Sequence, residues 1–286
     1  MSKLSSALKA QINAAHARPG TTPAPAGVLS LYQNIRREAE SRDVGIKAWF
    51  SAATAATITM NSPQSLLQLH NMATENKSRE ERIYFAELVR EIGLKCVGFN
   101  GIPRTINCLG EFRAGLPPDI ISGLATQPRR QLTPENVPSI LNRGQALWKS
   151  IYHPFETKLV NKLAQSHPDL PVHILESEYG NLFSDPPASP NGVPVTVGRV
   201  LTSIIAVSCL RAQTGVGPQV VSHIFGLRKA YEDGTAEAEE HIQGGKWLAT
   251  DEGSIWLLGI VDRIVDCIGN GQGTTFAPGY SHNAKL

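Results

Sequence analysis

Apolar stretches with helical spacing alternate along this chain with short breaks rich in proline and glycine. Over residues 27–41, Val28, Leu29, Leu31, Tyr32 and Ile35 fall on one side of a 3.6-residue period, which predicts an amphipathic helix. Residues 47–60 are Ala- and Thr-rich and contain no Gly or Pro, the pattern of a buried helix. Residues 63–74 follow, with Pro63 in the first turn, where a missing N–H costs nothing. Ser78-Arg79-Glu80-Glu81 has the Ser-x-x-Glu form of a reciprocal helix cap. Ile83, Phe85, Ala86, Leu88, Val89 and Ile92 carry the apolar face of the helix it opens. Residues 98–103 break the pattern and 105–112 resume it. Further helices are expected over residues 137–149, 155–163, 168–183, 197–212, 218–231 and 251–268. The fold class is all-α.

Pro117, Pro118, Pro128, Pro134 and Pro138 crowd into one joint that divides the chain. The expected organisation is a flexible basic N-terminus (1–27), a first helical half (28–116), the Pro-rich joint (117–138), a second helical half (139–268) and a flexible tail (269–286). The halves echo each other. An apolar helix leads to Ser62-Pro63-Gln64 in one and to Gly217-Pro218-Gln219 in the other. A capping sequence, Ser78-Arg79-Glu80-Glu81 or Thr250-Asp251-Glu252, then opens an amphipathic helix ending near Cys96 or Cys267. This order suggests two diverged copies packed into one unit, because one helix cannot bury its apolar stripe alone.

Composition narrows the function classes. A net charge of +2 gives no electrostatic case for nucleic acid, and few aromatic positions are available for base stacking. The longest apolar runs are too short for a bilayer span, so membrane insertion is not expected. Cys96, Cys108, Cys209 and Cys267 form no Cys-x-x-Cys pair and read as small buried hydrophobes.

The two ends carry address-like features. Ala284-Lys285-Leu286 has the small–basic–leucine form read by the peroxisomal import receptor, on a Gly-, Ser- and Asn-rich leash. It predicts the peroxisomal matrix as the location and that receptor as a partner. The N-terminus holds Lys3, Lys9 and Arg18 with no acid before Glu38, and is rich in Ser and Ala. That composition leaves a mitochondrial alternative open.

Residues 144–234 resemble the carboxymuconolactone decarboxylase class and the related AhpD-type alkylhydroperoxidases. The matching pieces are Asp169-Leu170, Tyr179-Gly180-Asn181-Leu182-Phe183, the apolar stretch 197–210, and Gln219-Val220-Val221-Ser222-His223-Ile224-Phe225-Gly226. Residues 98–107 add a weaker match around Gly101-Ile102-Pro103. The whole chain is similar to a fungal branch of that class. The resemblance implies an AhpD-like helical fold and assembly into homo-oligomers.

One departure removes a chemistry. AhpD-type peroxidases need two thiols, one to attack peroxide and one to resolve the product. Their positions, counted back from His223, hold Val216 and Gln219. A thiol peroxidase is therefore disfavoured. If the chain is an enzyme, the resemblance implies acid–base chemistry on a small carboxylated or acyl substrate, with no cofactor. His223 is nominated as the catalytic proton carrier. Glu87, four residues before Glu91, is a candidate carboxylate partner. Arg104, fixed by the Gly-Ile-Pro turn, and Gln219 are candidate substrate-binding residues. His153, His167, His173, Asp169 and Glu176 do not share a helical face in a metal-binding spacing, so no metal is expected. The alternative is a non-catalytic oligomeric scaffold or binding protein. A polar pocket around His223 favours the enzyme, and apolar packing around it favours the scaffold.

Overall fold

Two helices buried along almost their whole length lie at the centre of the molecule. In the computed structural model, which describes residues 3–187, 195–274 and 276, α3 (Ile46–Thr59) is buried from Ala48 to Thr59. Helix α11 (Gly198–Gln213) is buried over nearly its whole length. The two pack directly on each other. Alanines at 52, 53, 55 and 56 keep the α3 surface shallow enough for that approach.

The other helices are arranged around this pair. Helices α5 (Arg79–Asn100) and α14 (Asp251–Ile268) each pack against both α3 and α11. Helix α4 (Pro63–Ala73) covers α3 and meets α6 (Ile102–Gly115), while α2 (Val28–Ser41) lies over α3, α4 and α14. Helix α12 (Gly217–Glu232) covers α11 and meets α8 (Val137–Tyr152). One apolar cluster runs through both halves, from Val28 to Ile268. No strand occurs among the described residues, as expected of an all-α chain. None of their helices is long and apolar enough to cross a membrane.

Local chemistry explains the boundaries. Ser78 Oγ accepts the Glu81 N–H at 3.2 Å, and Glu81 Oε2 accepts the Ser78 N–H at 3.0 Å, closing the expected cap of α5. The break expected over 98–103 is narrower. Helix α5 continues through Asn100 and stops only at Gly101, whose φ is 79°. Gly98 stays helical, and a Cβ there would collide with Phe183 and Glu178. The glycine marks a close approach, not a turn.

The segment 168–183 is helical but not uniformly so. Helix α10 (Asp169–His173) runs into a π-helical stretch, Ile174–Phe183, that packs along α8. Short helices α1 (Ser6–Ile12), α7 (Pro118–Ile121), α9 (Glu156–Ser166) and α13 (Gly245–Leu248) complete the set. Helix α1 buries nothing, but the chain after it is tied down. The Thr22 N–H donates to the Asn61 carbonyl at 2.8 Å, and Ser62 Oγ donates to the Thr22 carbonyl at 2.8 Å.

Candidate functional site

His223 sits on the inner face of α12, under aromatic rings. Its Nε2 lies 3.5 Å from the Tyr152 hydroxyl, which is 3.1 Å from the Tyr179 hydroxyl. Phe99 meets the imidazole edge-on at 6.0 Å and stacks on Phe183 at 5.0 Å. Nδ1 is buried, with no hydrogen-bond partner among the described residues. Burial first, and the Arg199 charge second, lower the imidazole pKa to about 4. His223 is therefore neutral at physiological pH and a weak base.

This predicts an acid-sensitive fold. Unfolded histidine titrates near 6.5, so between about 6.5 and 4 the unfolded chain binds the extra proton. The stabilisation is complete above that window and drains away as pH falls through it, by about 3 kcal/mol at most. Burial lowers the His70 pKa as well, in the same sense. Urea unfolding across this range should show the slope, and His223→Gln should flatten it in part. A variant with the wild-type slope would show that His223 is not the titrating group.

The other nominated residues lie elsewhere. Glu87 is buried on α5, 2.7 Å from Arg90, and accepts the Ala125 N–H at 2.6 Å. Glu91 pairs instead with Arg130 at 2.8 Å, and Arg130 Nε donates to the Asn181 carbonyl. The two glutamates thus form separate latches for the 117–138 joint. Arg104 is half-buried at the start of α6. It donates to the Thr59 carbonyl and stacks on the Phe276 ring at 3.7 Å. Arg104 thus touches α3 and Phe276, whereas His223 touches α5 and α8. Gln219 is exposed on the first turn of α12. Ala284, Lys285 and Leu286 lie outside the described residues. His153, His167 and His173 fall in three separate pairs, with Glu156, Asp169 and Glu178.

A polar cluster that the sequence reading did not single out surrounds the N-terminus of α11. Asp185 Oδ2 accepts the Val197 N–H at 2.8 Å and the Gly198 N–H at 2.6 Å. Glu239 Oε2 accepts the Arg199 N–H. Gly198 is needed here twice over: its φ is 71°, and a Cβ would strike the Glu239 carboxylate. Lys95, fully buried on α5, lies 3.0 Å from Asp185 and donates to the Phe183 carbonyl. Arg199 is buried and has no salt-bridged carboxylate among the described residues. Its guanidinium donates to Ser150 Oγ at 2.9 Å, Ser203 Oγ at 2.5 Å and the Gly226 carbonyl at 2.6 Å.

Asp185, Arg199 and Glu239 line a cavity of about 400 Å³, together with Leu147, Ser150 and Phe183. The two carboxylates are driven apart. Lys95 and two backbone N–H groups outweigh burial and hold Asp185 below its usual range. Desolvation where Glu239 meets α11, with Asp185 nearby, raises Glu239 although it stands at the exposed rim. The cavity meets the His223 cluster through Arg199 and Phe183, since Arg199 holds the α12 carbonyl at Gly226. One sequence signal existed for it: Arg199 is the only charge within the apolar stretch 197–210.

Among curated proteins, the chain is similar to Peroxisomal protein 2 of Saccharomyces cerevisiae. The two are 25% identical over 231 residues, covering 73% of this chain and 78% of that protein. That name supports the peroxisomal location expected from Ala284-Lys285-Leu286. No family model matches the chain, and no solved structure matches it.

Proposed function

We propose that this is a peroxisomal helical protein that binds a small carboxylated or acyl molecule in the cavity beneath α11 and moves a proton on it. The observation that carries the proposal is the pair Asp185 and Glu239, flanking one helix N-terminus with opposed pKa shifts beside the buried Arg199 cation. Asp185 stays ionised and fixes the site. Glu239, titrating closer to neutrality, is the group matched to take a proton from carbon next to a carbonyl and return it. Arg199 supplies a fixed positive charge where negative charge develops on the substrate. His223 supports the wall of this site through Tyr152 and Phe99 rather than carrying the proton itself. The test is solvent-isotope exchange on a panel of acyl and carboxylated compounds.

The same proposal places the chain as a diverged member of the carboxymuconolactone decarboxylase-like class. The quoted motif residues support this, as does the mutual packing of α3 with α11 between α5 and α14, the arrangement expected of two copies. With Val216 and Gln219 at the thiol positions, the chemistry is not that of the thiol peroxidases. Exposed Ile102 and Ile106 on α6, and Val221 and Phe225 on α12, offer apolar surface for a homo-oligomer.

A scaffold role is the second reading. The aromatic packing of His223 favours it, because an imidazole that is 7% exposed and set against Phe99 and Tyr152 offers little surface to a substrate.

Location has its own test. A copy tagged at the N-terminus should form dots coincident with a peroxisomal marker and become diffuse when residues 284–286 are deleted. Dots that survive the deletion would remove the tripeptide from the account. An internally tagged copy leaves the N-terminus free and tests the mitochondrial alternative, for which exposed Leu4, Leu8 and Ile12 beside Lys3 and Lys9 are the supporting features.

A further inference from the structure

The fold brings together two cysteines that are 113 residues apart. Cys96, near the end of α5, and Cys209, near the end of α11, meet with their sulfurs 3.5 Å apart in the shared core. Both are free and fully buried. Their surroundings are not uniformly apolar. Asn100 Nδ2 donates to Cys209 Sγ at 3.8 Å and to Thr59 Oγ1 at 3.0 Å, so a buried amide is directed at one of the two sulfurs. The other cysteines differ. Cys108 Sγ faces the Ile58 carbonyl at 3.9 Å, and Cys267 is partly exposed on α14.

We propose that Cys96 and Cys209 are a redox-sensitive pair, closed by hydrogen peroxide into a disulfide that staples α5 to α11. The sulfurs need to approach by only about 1.5 Å to reach a bond of about 2.05 Å. One thiol releases its proton and the thiolate attacks a peroxide oxygen; the O–O bond breaks to give a sulfenic acid and hydroxide, which takes up the released proton as water. The second sulfur then displaces the sulfenic hydroxyl as water. Two electrons, one from each sulfur, reduce one peroxide to two waters. The resolving thiol is already in contact, so the sulfenic acid is captured before further oxidation. The Asn100 amide is placed to hold negative charge on Cys209 while it reacts.

Burial sets the pace. It raises the Cys96 thiol well above its ordinary pKa, which keeps thiolate scarce. Peroxide enters only through local opening, so closure follows sustained exposure, not a brief pulse. The staple joins the first half of the chain to the second at its centre and removes chain entropy from the unfolded state. This pair is separate from the Val216 and Gln219 positions and from the Glu239 cavity, and stands whatever becomes of the proposed activity.

The test uses the full chain, reduced, freed of reductant and exposed to hydrogen peroxide for increasing times without denaturant. Alkylation, digestion and mass spectrometry without reduction then map the sulfurs. The expected result is loss of two of the four thiols, recovered by dithiothreitol, with a cross-linked peptide joining Cys96 to Cys209. The oxidised protein should also melt several degrees higher than the reduced protein. Cys209→Ser should abolish both changes. The wild-type map decides the matter even if that variant folds poorly. Oxidation confined to Cys108 or Cys267, or a cross-link formed only after unfolding, overturns the proposal.

Discussion

Lys95→Ala should lower the unfolding free energy by about 3–5 kcal/mol at neutral pH. Lys95 has no exposed surface, and its ammonium group lies 3.0 Å from Asp185. That carboxylate accepts the first N–H groups of α11, the central helix of the second half. Removing the cation leaves an ionised carboxylate in a site that is 17% exposed, at the start of the helix on which both halves pack. Lys95→Met retains most of the stem and should be nearly as damaging, which separates lost charge from lost packing. Lys95→Met with Asp185→Asn should recover part of the loss, since an absent pair costs less than a broken one. Burial lowers the Lys95 pKa, which bears on alkaline pH, and the acid side is set by Asp185. Asp185 has a depressed folded pKa, so its contribution is present above the unfolded value of about 3.9 and is lost as pH falls through the folded one. Urea unfolding of the three variants checks this. A Lys95→Ala protein within about 1 kcal/mol of wild type would show that the pair is dispensable, as many exposed pairs are.

Glu239→Gln should reduce proton transfer by at least about a hundredfold while leaving the fold intact. The side chain stands at the cavity rim and holds the Arg199 N–H through one oxygen. Glutamine keeps that acceptor but cannot exchange a proton. Stability should therefore change little. Any proton transfer by the wild-type protein should rise with pH through a carboxylate pKa shifted upward, because desolvation and Asp185 disfavour the charged form. His223→Gln should act differently, altering the acid stability far more than the pH dependence of the rate.

What the sequence conveyed differs sharply by element. Helices whose ends carry local chemistry were legible: Ser78 and Glu81 close the cap of α5, and Pro63 opens α4. The two central helices were legible too, because α3 and α11 have almost no polar face. Tertiary features were not. The π-helical stretch at 174–183 has ordinary helical periodicity and is set by its packing along α8. Gly98 read as a breaker because spacing cannot reveal Phe183 lying against it.

The site divides in the same way. His223 was visible as a residue in a motif, but its aromatic enclosure was not. Glu87 and Glu91 looked like a carboxylate pair until the joint brought Arg130 to the second of them. Lys95, on the same helix as those glutamates, reaches Asp185. Asp185, Arg199 and Glu239 converge from three separate stretches, so no local pattern could assemble them. Cys96 and Cys209 are the extreme case, unremarkable singly and adjacent only in the folded chain.

The most direct test of the central claim is deuterium exchange from solvent into small acyl and carboxylated compounds, followed by NMR, with wild-type protein and Glu239→Gln side by side. Exchange is expected at carbon adjacent to a carbonyl with the wild type, with its loss by at least about a hundredfold in the variant. Exchange that proceeds equally in both proteins would contradict the assignment of Glu239. No exchange by the wild type across the panel would contradict the proton-transfer site itself and leave the scaffold reading in its place.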